Sequence, residues 1–463
     1  MSIQSVEAST QRSYHIEPTI ELVGWSEDCG ERNACSTRWP GTRASLCSTP
    51  MISRTQAEDL DAADPLASHR NSFLLPAGVR YLDGNSLGAL PKGVVERMNH
   101  TLTQEWGNSL IRSWNEAGWW ELPGNVGAKL APLIGALPHE VTIADSTSIN
   151  LFKVVVAAIR MRPGRTHIVV EAGTFATDLY LINEAACLTN TTVVTIPNGA
   201  GVGTISAALD EHTAVVCITH VDYRSGRMQP MHAVTAAAHN VGALMIWDLA
   251  HSTGAVPVDL NAADADFAVG CGYKYLNGGP GAPSHVYAAT RHHESIDQPL
   301  PGWHGHARPF DFEPAYAPAA GIARLGCGTP PLLSLVALDA ALDLWRNVDM
   351  VALRAKSVAM GELLITLADE RLATHGFTVA SPRVADERGS QVSLAHPHGF
   401  AMMQALIHGG TIGDFRAPDL LRFGFAPLYL RYVDVWDAVE DLVRITETGK
   451  WDDPRFTTRA SVT

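Results

Sequence analysis

Lys274 sits in the stretch DFAVGCGYKYLNGGPG, where an apolar run ends, flanked by two tyrosines and followed by glycines. Desolvating an ammonium is costly. A lysine partly desolvated at a strand end is disfavoured as an ammonium, and as a free amine it can form a Schiff base with an aldehyde. The ordinary alternative is a lysine that snorkels to water. Three further features fall where strands should end. Asp145-Ser146-Thr147-Ser148 precedes the helix-like INLFKVVVAAIRM, so its hydroxyls either cap the helix or help it hold an anion. Phe175 in EAGTFATDLY either stacks on a planar ring or packs in the core. Asp248 in WDLAH either pairs with a cationic ring nitrogen or faces solvent from a loop, with His251 close behind. Taken together, a hydroxyl-rich helix start, an aromatic, an Asp and a Lys are the parts needed to hold pyridoxal 5'-phosphate: phosphate cradle, ring stack, pyridinium partner and Schiff-base lysine.

The elements that must position these residues alternate. Strand-like runs are HIVVEAG (167–173), TTVVTIP (191–197), TAVVCITHV (213–221), ALMIWD (243–248) and DFAVGC (266–271), with helix-like segments between several of them. This predicts an α/β fold with a mostly parallel sheet covered by helices, and ligands beyond the carboxyl ends of its strands. After Pro330-Pro331 comes a long helical stretch, LLSLVALDAALDLWRNV. Short strands (GFTVASP, GSQVSLAHP) and two helices (FAMMQALIHG, YVDVWDAVEDLVRITETG) follow, which we read as a smaller α/β domain. Residues 1–50 read as a tail outside the fold, with Met51 as an alternative start.

The chain has 463 residues, 46% hydrophobic and 18% charged, with formal net charge −14. That charge argues against nucleic acid or an anionic membrane as the main partner. No apolar run approaches a membrane span, and the first residues lack a signal-peptide pattern. The seven cysteines include no C-x-x-C pair and suit reduced thiols in the cytoplasm. His304/His306 and His396/His398 lack an acidic or cysteine partner nearby, so no metal is expected.

In combination, YLDGNSLG (81–88), DSTSINLFK (145–153), FATD (175–178), WDLAH (247–251), YKYLNGGPG (273–281), PGWHGH (301–306), GTPP (328–331), DERGSQ (386–391) and LRFGFAPLY (421–429) resemble the kynureninases, most closely the bacterial ones. These are fold-type I pyridoxal phosphate enzymes of the aspartate aminotransferase superfamily. The resemblance runs from about Tyr81 to Tyr429. It implies a large cofactor-binding domain (125–333) with a seven-stranded-type, mostly parallel sheet, a C-terminal small domain (334–455) and a tail (456–463). Residues 51–124 would contribute to the small domain and the active site. It implies Lys274 as the Schiff-base lysine, Asp248 as the pyridinium partner and Phe175 as the stacking ring. Thr147 and Ser148 match phosphate ligands. Thr177, Asp178, Thr219, His251, Tyr273, Trp303 and Thr329 match the rest of the cofactor site. Arg422 matches the residue that grips the substrate carboxylate, while Trp114 and Thr329 face the aryl end. The implied protein is a cytoplasmic homodimer, with its active site at the interface, in tryptophan catabolism and NAD biosynthesis. The implied reaction is hydrolysis of L-kynurenine, or 3-hydroxykynurenine, to an anthranilate and L-alanine. Lys274 would move the α-proton and Tyr273 would donate a proton.

Two alternatives share these parts. A cysteine desulfurase or selenocysteine lyase needs a reactive cysteine on a C-terminal loop, and the only cysteine after Lys274 is Cys327, in LGCGTPP. A non-catalytic pyridoxal phosphate sensor usually carries a DNA-binding domain or lacks the lysine. Neither applies to this sequence.

Overall fold

The computed structural model describes residues 52–458, all within the compact unit Met51–Thr463. The predicted tail over residues 1–50 lies outside the described residues. Helix α1 (Arg54–Ala62) starts with a capping box: Ser53 Oγ accepts from the Gln56 amide at 3.3 Å, and Gln56 Oε1 accepts from the Ser53 amide at 2.8 Å. Strand β1 (Arg80–Tyr81), α2 (Lys92–His100), α3 (Ser113–Glu116) and α4 (Leu122–Leu130) follow.

The large sheet then forms in one pass along the chain. Its strands are β2 (Val141–Ala144), β3 (His167–Glu171), β4 (Thr192–Ile196), β5 (Thr213–Thr219), β6 (Leu244–Asp248), β7 (Phe267–Cys271) and β8 (Ser284–Ala288). They lie in the order β2-β8-β7-β6-β5-β3-β4. Only β8 runs against its neighbours, β2 and β7. Crossover helices α5 (Thr147–Arg160), α6 (Ala176–Thr189), α7 (Val202–Ala207) and α8 (Met231–Asn240) join the parallel strands. Strands β5 to β8 are buried along their whole length. Burial on both faces is why they read as unbroken apolar runs rather than alternating ones. Strand β8 was not predicted, although SHVYAA carried a signal. It follows β7 through a glycine-rich loop with no crossover helix, so it returns antiparallel.

Beyond the sheet come α9 (Leu332–Leu342), α10 (Met350–Arg371), β9 (Thr378–Val379), β10 (Gln391–Ala395), α11 (Gly399–His408), β11 (Thr411–Ile412), β12 (Asp414–Arg416), β13 (Leu420–Gly424) and α12 (Tyr432–Glu447). The long helix predicted after Pro331 is divided. It tightens to a 3₁₀ turn over Asp343–Asn347 and buries Trp345 against Gly254, whose φ is +77°. Strands β12-β13-β10-β9 form an antiparallel sheet, and β1 pairs with β11. Helix α1 docks on α12, where the Asp61 carboxylate accepts from the Tyr432 and Val433 amides. Phe456 is buried beside His408. Among the described residues no helix is long and apolar enough to cross a membrane, and no three His, Cys, Asp or Glu side chains are grouped to hold a metal.

Asp266 anchors the start of β7, the strand that leads to Lys274. Its carboxylate accepts from the Met245 amide at 2.7 Å and contacts His239 Nε2 at 2.8 Å and His292 Nε2 at 2.6 Å. Despite burial, these hydrogen bonds hold the Asp266 carboxyl below its ordinary range, and the bond to Asp266 raises the His239 pKa. A raised histidine pKa contributes stability that is complete below about pH 6.5 and is lost as pH rises through the folded-state value. His239→Gln should therefore cost about 1 kcal/mol at pH 5.5 and much less at pH 8.5, read from urea midpoints. An equal cost at both pH values would mean that the imidazolium is not the stabilising species.

Candidate active site

The site is built where β5, β6 and β7 end. Asp248 is the last residue of β6, in register with Thr219 of β5 and Val269 of β7. It is buried, and its donors are the Ala250 amide at 2.8 Å and the Thr219 hydroxyl at 3.4 Å. The Thr219 hydroxyl also lies 2.9 Å from that of Thr174. Burial raises the Asp248 pKa, opposed by the Ala250 amide, Lys274 and Thr219. Asp178, in the first turn of α6, is buried as well. Burial and then the charge of Asp248 push its carboxyl well above the usual range, while Lys274 pulls it down. Two buried acidic side chains thus act on each other away from water, and among the described residues neither has a cationic hydrogen-bond partner.

Lys274 follows β7 in a loop that needs left-handed backbone at Asn277 (φ +60°), Gly279 (φ +86°) and Gly281 (φ +74°). None of the ion pairs among the described residues includes Lys274. Its Nζ lies 3.4 Å from His251 Nε2 and 5.8 Å from the centre of the Tyr273 ring. Burial, with the positive charges of Lys274, Arg422 and Arg416, lowers the His251 pKa well below its ordinary value, so the ring is neutral and Nε2 accepts from the lysine. Burial, with Cys271 next to it, raises the Tyr273 pKa, so the phenol keeps its proton at neutral pH. The YLDGNSLG turn packs directly on this loop. The Gly88 amide donates to the Tyr273 carbonyl at 2.8 Å, and a Cβ at Gly88 would lie 2.3 Å from the Lys274 carbonyl oxygen.

Phe175 caps α6 and is 49% exposed, its ring set edge-on to Tyr223 at 5.4 Å. Thr177 sits beside it, half-buried, in the same turn. At the start of α5 the capping side chain is Ser146, which accepts from the Ile149 amide at 3.4 Å. The Thr147 and Ser148 hydroxyls form no hydrogen bond among the described residues. They stand uncommitted at a helix N-terminus, where the dipole favours an anion. Asp145 enters that helix at φ +42° and is held there by the buried Lys153, at 2.7 Å.

Trp114, Trp303 and Thr329 lie elsewhere on the chain. Trp303 packs on Trp120 at 5.2 Å, Trp114 at 6.4 Å and Phe310 at 6.0 Å, and Thr329 is exposed. Among the described residues no hydrogen bond, ion pair or ring contact joins this aromatic cluster to Lys274, His251, Asp248 or Phe175.

Arg422, on β13, is 1% exposed and lies in register between Ser393 of β10 and Asp414 of β12. Its partners, Asp414, Ser86 and the Tyr223 carbonyl, were not singled out from the sequence. Nor were Arg416 and Asp83. Burial and the charge of Asp414 raise the Asp83 carboxyl to about 7. YLDGNSLG and GDFRAPDLLRFG were the available signals, because both combine acidic and hydroxyl or arginine residues at turns.

A model of the kynureninase C-terminal domain matches residues 353–442. The chain is 51% identical over 419 residues to a kynureninase of Burkholderia mallei (strain SAVP1), covering 89% of this chain and all of that one. It is 48% identical over 421 residues to a kynureninase of Pseudomonas fluorescens, with the same coverage. Among solved structures, the Escherichia coli cysteine desulfurase CsdA superposes with TM-score 0.70 at 21% identity, covering 83% of this chain and 98% of that one. A C-DES mutant with glycine covalently linked to its PLP cofactor superposes with TM-score 0.71 at 18% identity, covering 81% and 98%. The desulfurase likeness is therefore one of fold.

Proposed function

The chain belongs to the kynureninase family, and from that premise we infer that it hydrolyses L-kynurenine to anthranilate and L-alanine with pyridoxal 5'-phosphate as cofactor. The observation that best supports the cofactor is the buried Asp248. A carboxylate out of water with only an amide and a hydroxyl as donors calls for a cation, and a protonated ring nitrogen is one. Asp248 would hold that nitrogen, Phe175 would cover the ring, and Thr147, Ser148 and Tyr273 would hold the phosphate. Thr177, Asp178, Thr219 and His251 would complete the cradle, and Lys274 would carry the covalent link. When bound, the cofactor supplies an electron sink for the pair released at the substrate Cα.

The remaining work falls to the chain. Lys274 Nζ moves the proton at Cα, and the neutral His251 beside it accepts a hydrogen bond from the amine without adding a second charge. Tyr273, which keeps its proton at neutral pH, is the donor as the side chain departs. Arg422 orients the substrate through its carboxylate. Trp303 and Thr329 belong to the same site in this reading. Since among the described residues no hydrogen bond, ion pair or ring contact joins them to Lys274, they would reach the site of a second copy in a homodimer. The predicted cytoplasmic setting in tryptophan catabolism and NAD biosynthesis belongs to the same reading.

The test is direct. Purified protein reconstituted with pyridoxal phosphate should convert L-kynurenine to equal amounts of fluorescent anthranilate and L-alanine. Release of sulfide or persulfide from L-cysteine, with no anthranilate formed, would overturn the reading.

The aryl pocket bears on substrate choice. Trp114 offers an apolar face and one N–H donor. A ring hydroxyl buried there without a partner would cost about 1–3 kcal/mol. L-Kynurenine should therefore exceed 3-hydroxykynurenine in kcat/KM by roughly 5- to 150-fold, and Trp114→His should narrow that ratio. Competition between the two substrates decides it. A wild-type preference for the hydroxylated substrate that Trp114→His leaves unaltered would remove Trp114 from the pocket.

A further inference from the structure

The Arg422 guanidinium is almost fully engaged. Nε donates to Asp414 Oδ1 at 2.8 Å, Nη2 to Asp414 Oδ2 and to Ser86 Oγ at 2.9 Å, and Nη1 to the Tyr223 carbonyl at 2.5 Å. Four of its five N–H groups are thereby used. One Nη1 hydrogen remains. In this arrangement Arg422 cannot give a carboxylate the two parallel bonds that make arginine selective, because Asp414 already holds its fork.

Arg416 lies on the other side of the same carboxylate, with Nη2 2.7 Å from Asp414 Oδ2 and a side chain 33% exposed. Among the described residues its Nε is buried without a hydrogen-bond partner, and its Nη1 reaches only the adjacent backbone, at 3.5 Å from the Phe415 carbonyl. Both guanidiniums act on His251, the neighbour of Lys274. Asp414 offsets one of the two positive charges. Asp83 also faces the cluster, and with its carboxyl held at about 7 it offsets the second only when ionised.

We propose that Arg416 is a substrate-binding residue: the carboxylate of the incoming α-amino acid lies between the unpartnered Nε edge of Arg416 and the remaining Nη1 hydrogen of Arg422. Asp414 is then a positioning residue that holds both guanidiniums in place. The proposal rests on the reading of this site as one for an amino acid, and it deepens that reading by dividing the carboxylate grip between two arginines.

L-Alanine and L-alaninamide separate the roles, because they differ only in the carboxylate. Each is titrated into wild-type and Arg416→Gln protein loaded with pyridoxal phosphate, and binding is followed by the cofactor's absorbance. Wild type should favour L-alanine, and Arg416→Gln should cut that preference about tenfold by weakening L-alanine alone. KM for L-kynurenine should rise about tenfold with kcat little changed. Arg416→Lys keeps a charge beside Asp414 but lacks the fork, so it should recover only part of the preference. Equal weakening of both ligands, or an unchanged preference in both variants, would overturn the proposal. A wild type that prefers L-alanine through Arg416 but leaves L-kynurenine intact would refute the kynurenine reading and keep this one.

Discussion

Lys274→Ala protein should form anthranilate from L-kynurenine at least about 10⁴-fold more slowly than wild type. In the proposed reading two functions rest on one nitrogen, the covalent hold on the cofactor and the movement of the proton at Cα, and no neighbour would replace it. Lys153 is fully buried and tied to Asp145 at 2.7 Å, and His251 is a neutral ring whose Nε2 already faces the lysine. Borohydride should fix the cofactor to wild-type protein, and peptide mapping should find the adduct on Lys274. An adduct on Lys153 or any other lysine would sink the assignment. The same variant tests the homodimer. Mixed with Trp303→Ala protein under subunit exchange, it should regain up to about a quarter of wild-type activity, because one site in the hybrid would draw both intact parts from different chains. Two inactive variants that stay inactive when mixed would place Trp303 in the site of its own chain.

Asp248→Asn should lose about 10²- to 10⁴-fold in kcat. Asparagine fills the same space and can still accept from the Ala250 amide, so the fold should stand. What disappears is a negative charge in a buried position, where an opposite charge most strongly favours the protonated ring nitrogen. Wild type should exchange the α-proton of L-alanine with solvent deuterium, followed by NMR, and the variant should do so at a small fraction of that rate. Exchange at the wild-type rate would show that Asp248 does not control the nitrogen. The two variants differ in a second readout, since Asp248→Asn should still give a borohydride adduct on Lys274.

The sequence carried whatever depends on neighbours along the chain. Unbroken apolar runs marked β5, β6 and β7 because strands covered on both faces exclude water along their whole length, and β3 is buried over all but its first residue. The 3.6-residue period marked α12, and the positions of Asp248 and Lys274 at strand ends followed from where those runs stop. Motif order then pointed to the family, because the residues of a cofactor cradle occur in a fixed order along the chain. The reversal of β8, the antiparallel pairing of β12 with β13, and the partners of Arg422 were decided only in three dimensions. Arg422 meets Ser86 across 336 positions and Tyr223 across 199. No local periodicity encodes such contacts; they exist because β13 is buried, which forces most of the Arg422 N–H groups to find partners within the fold. From its sequence Arg422 reads as a cation ready for a ligand. Its surroundings show a cation already paired, with Arg416 beside it still holding an unpartnered N–H.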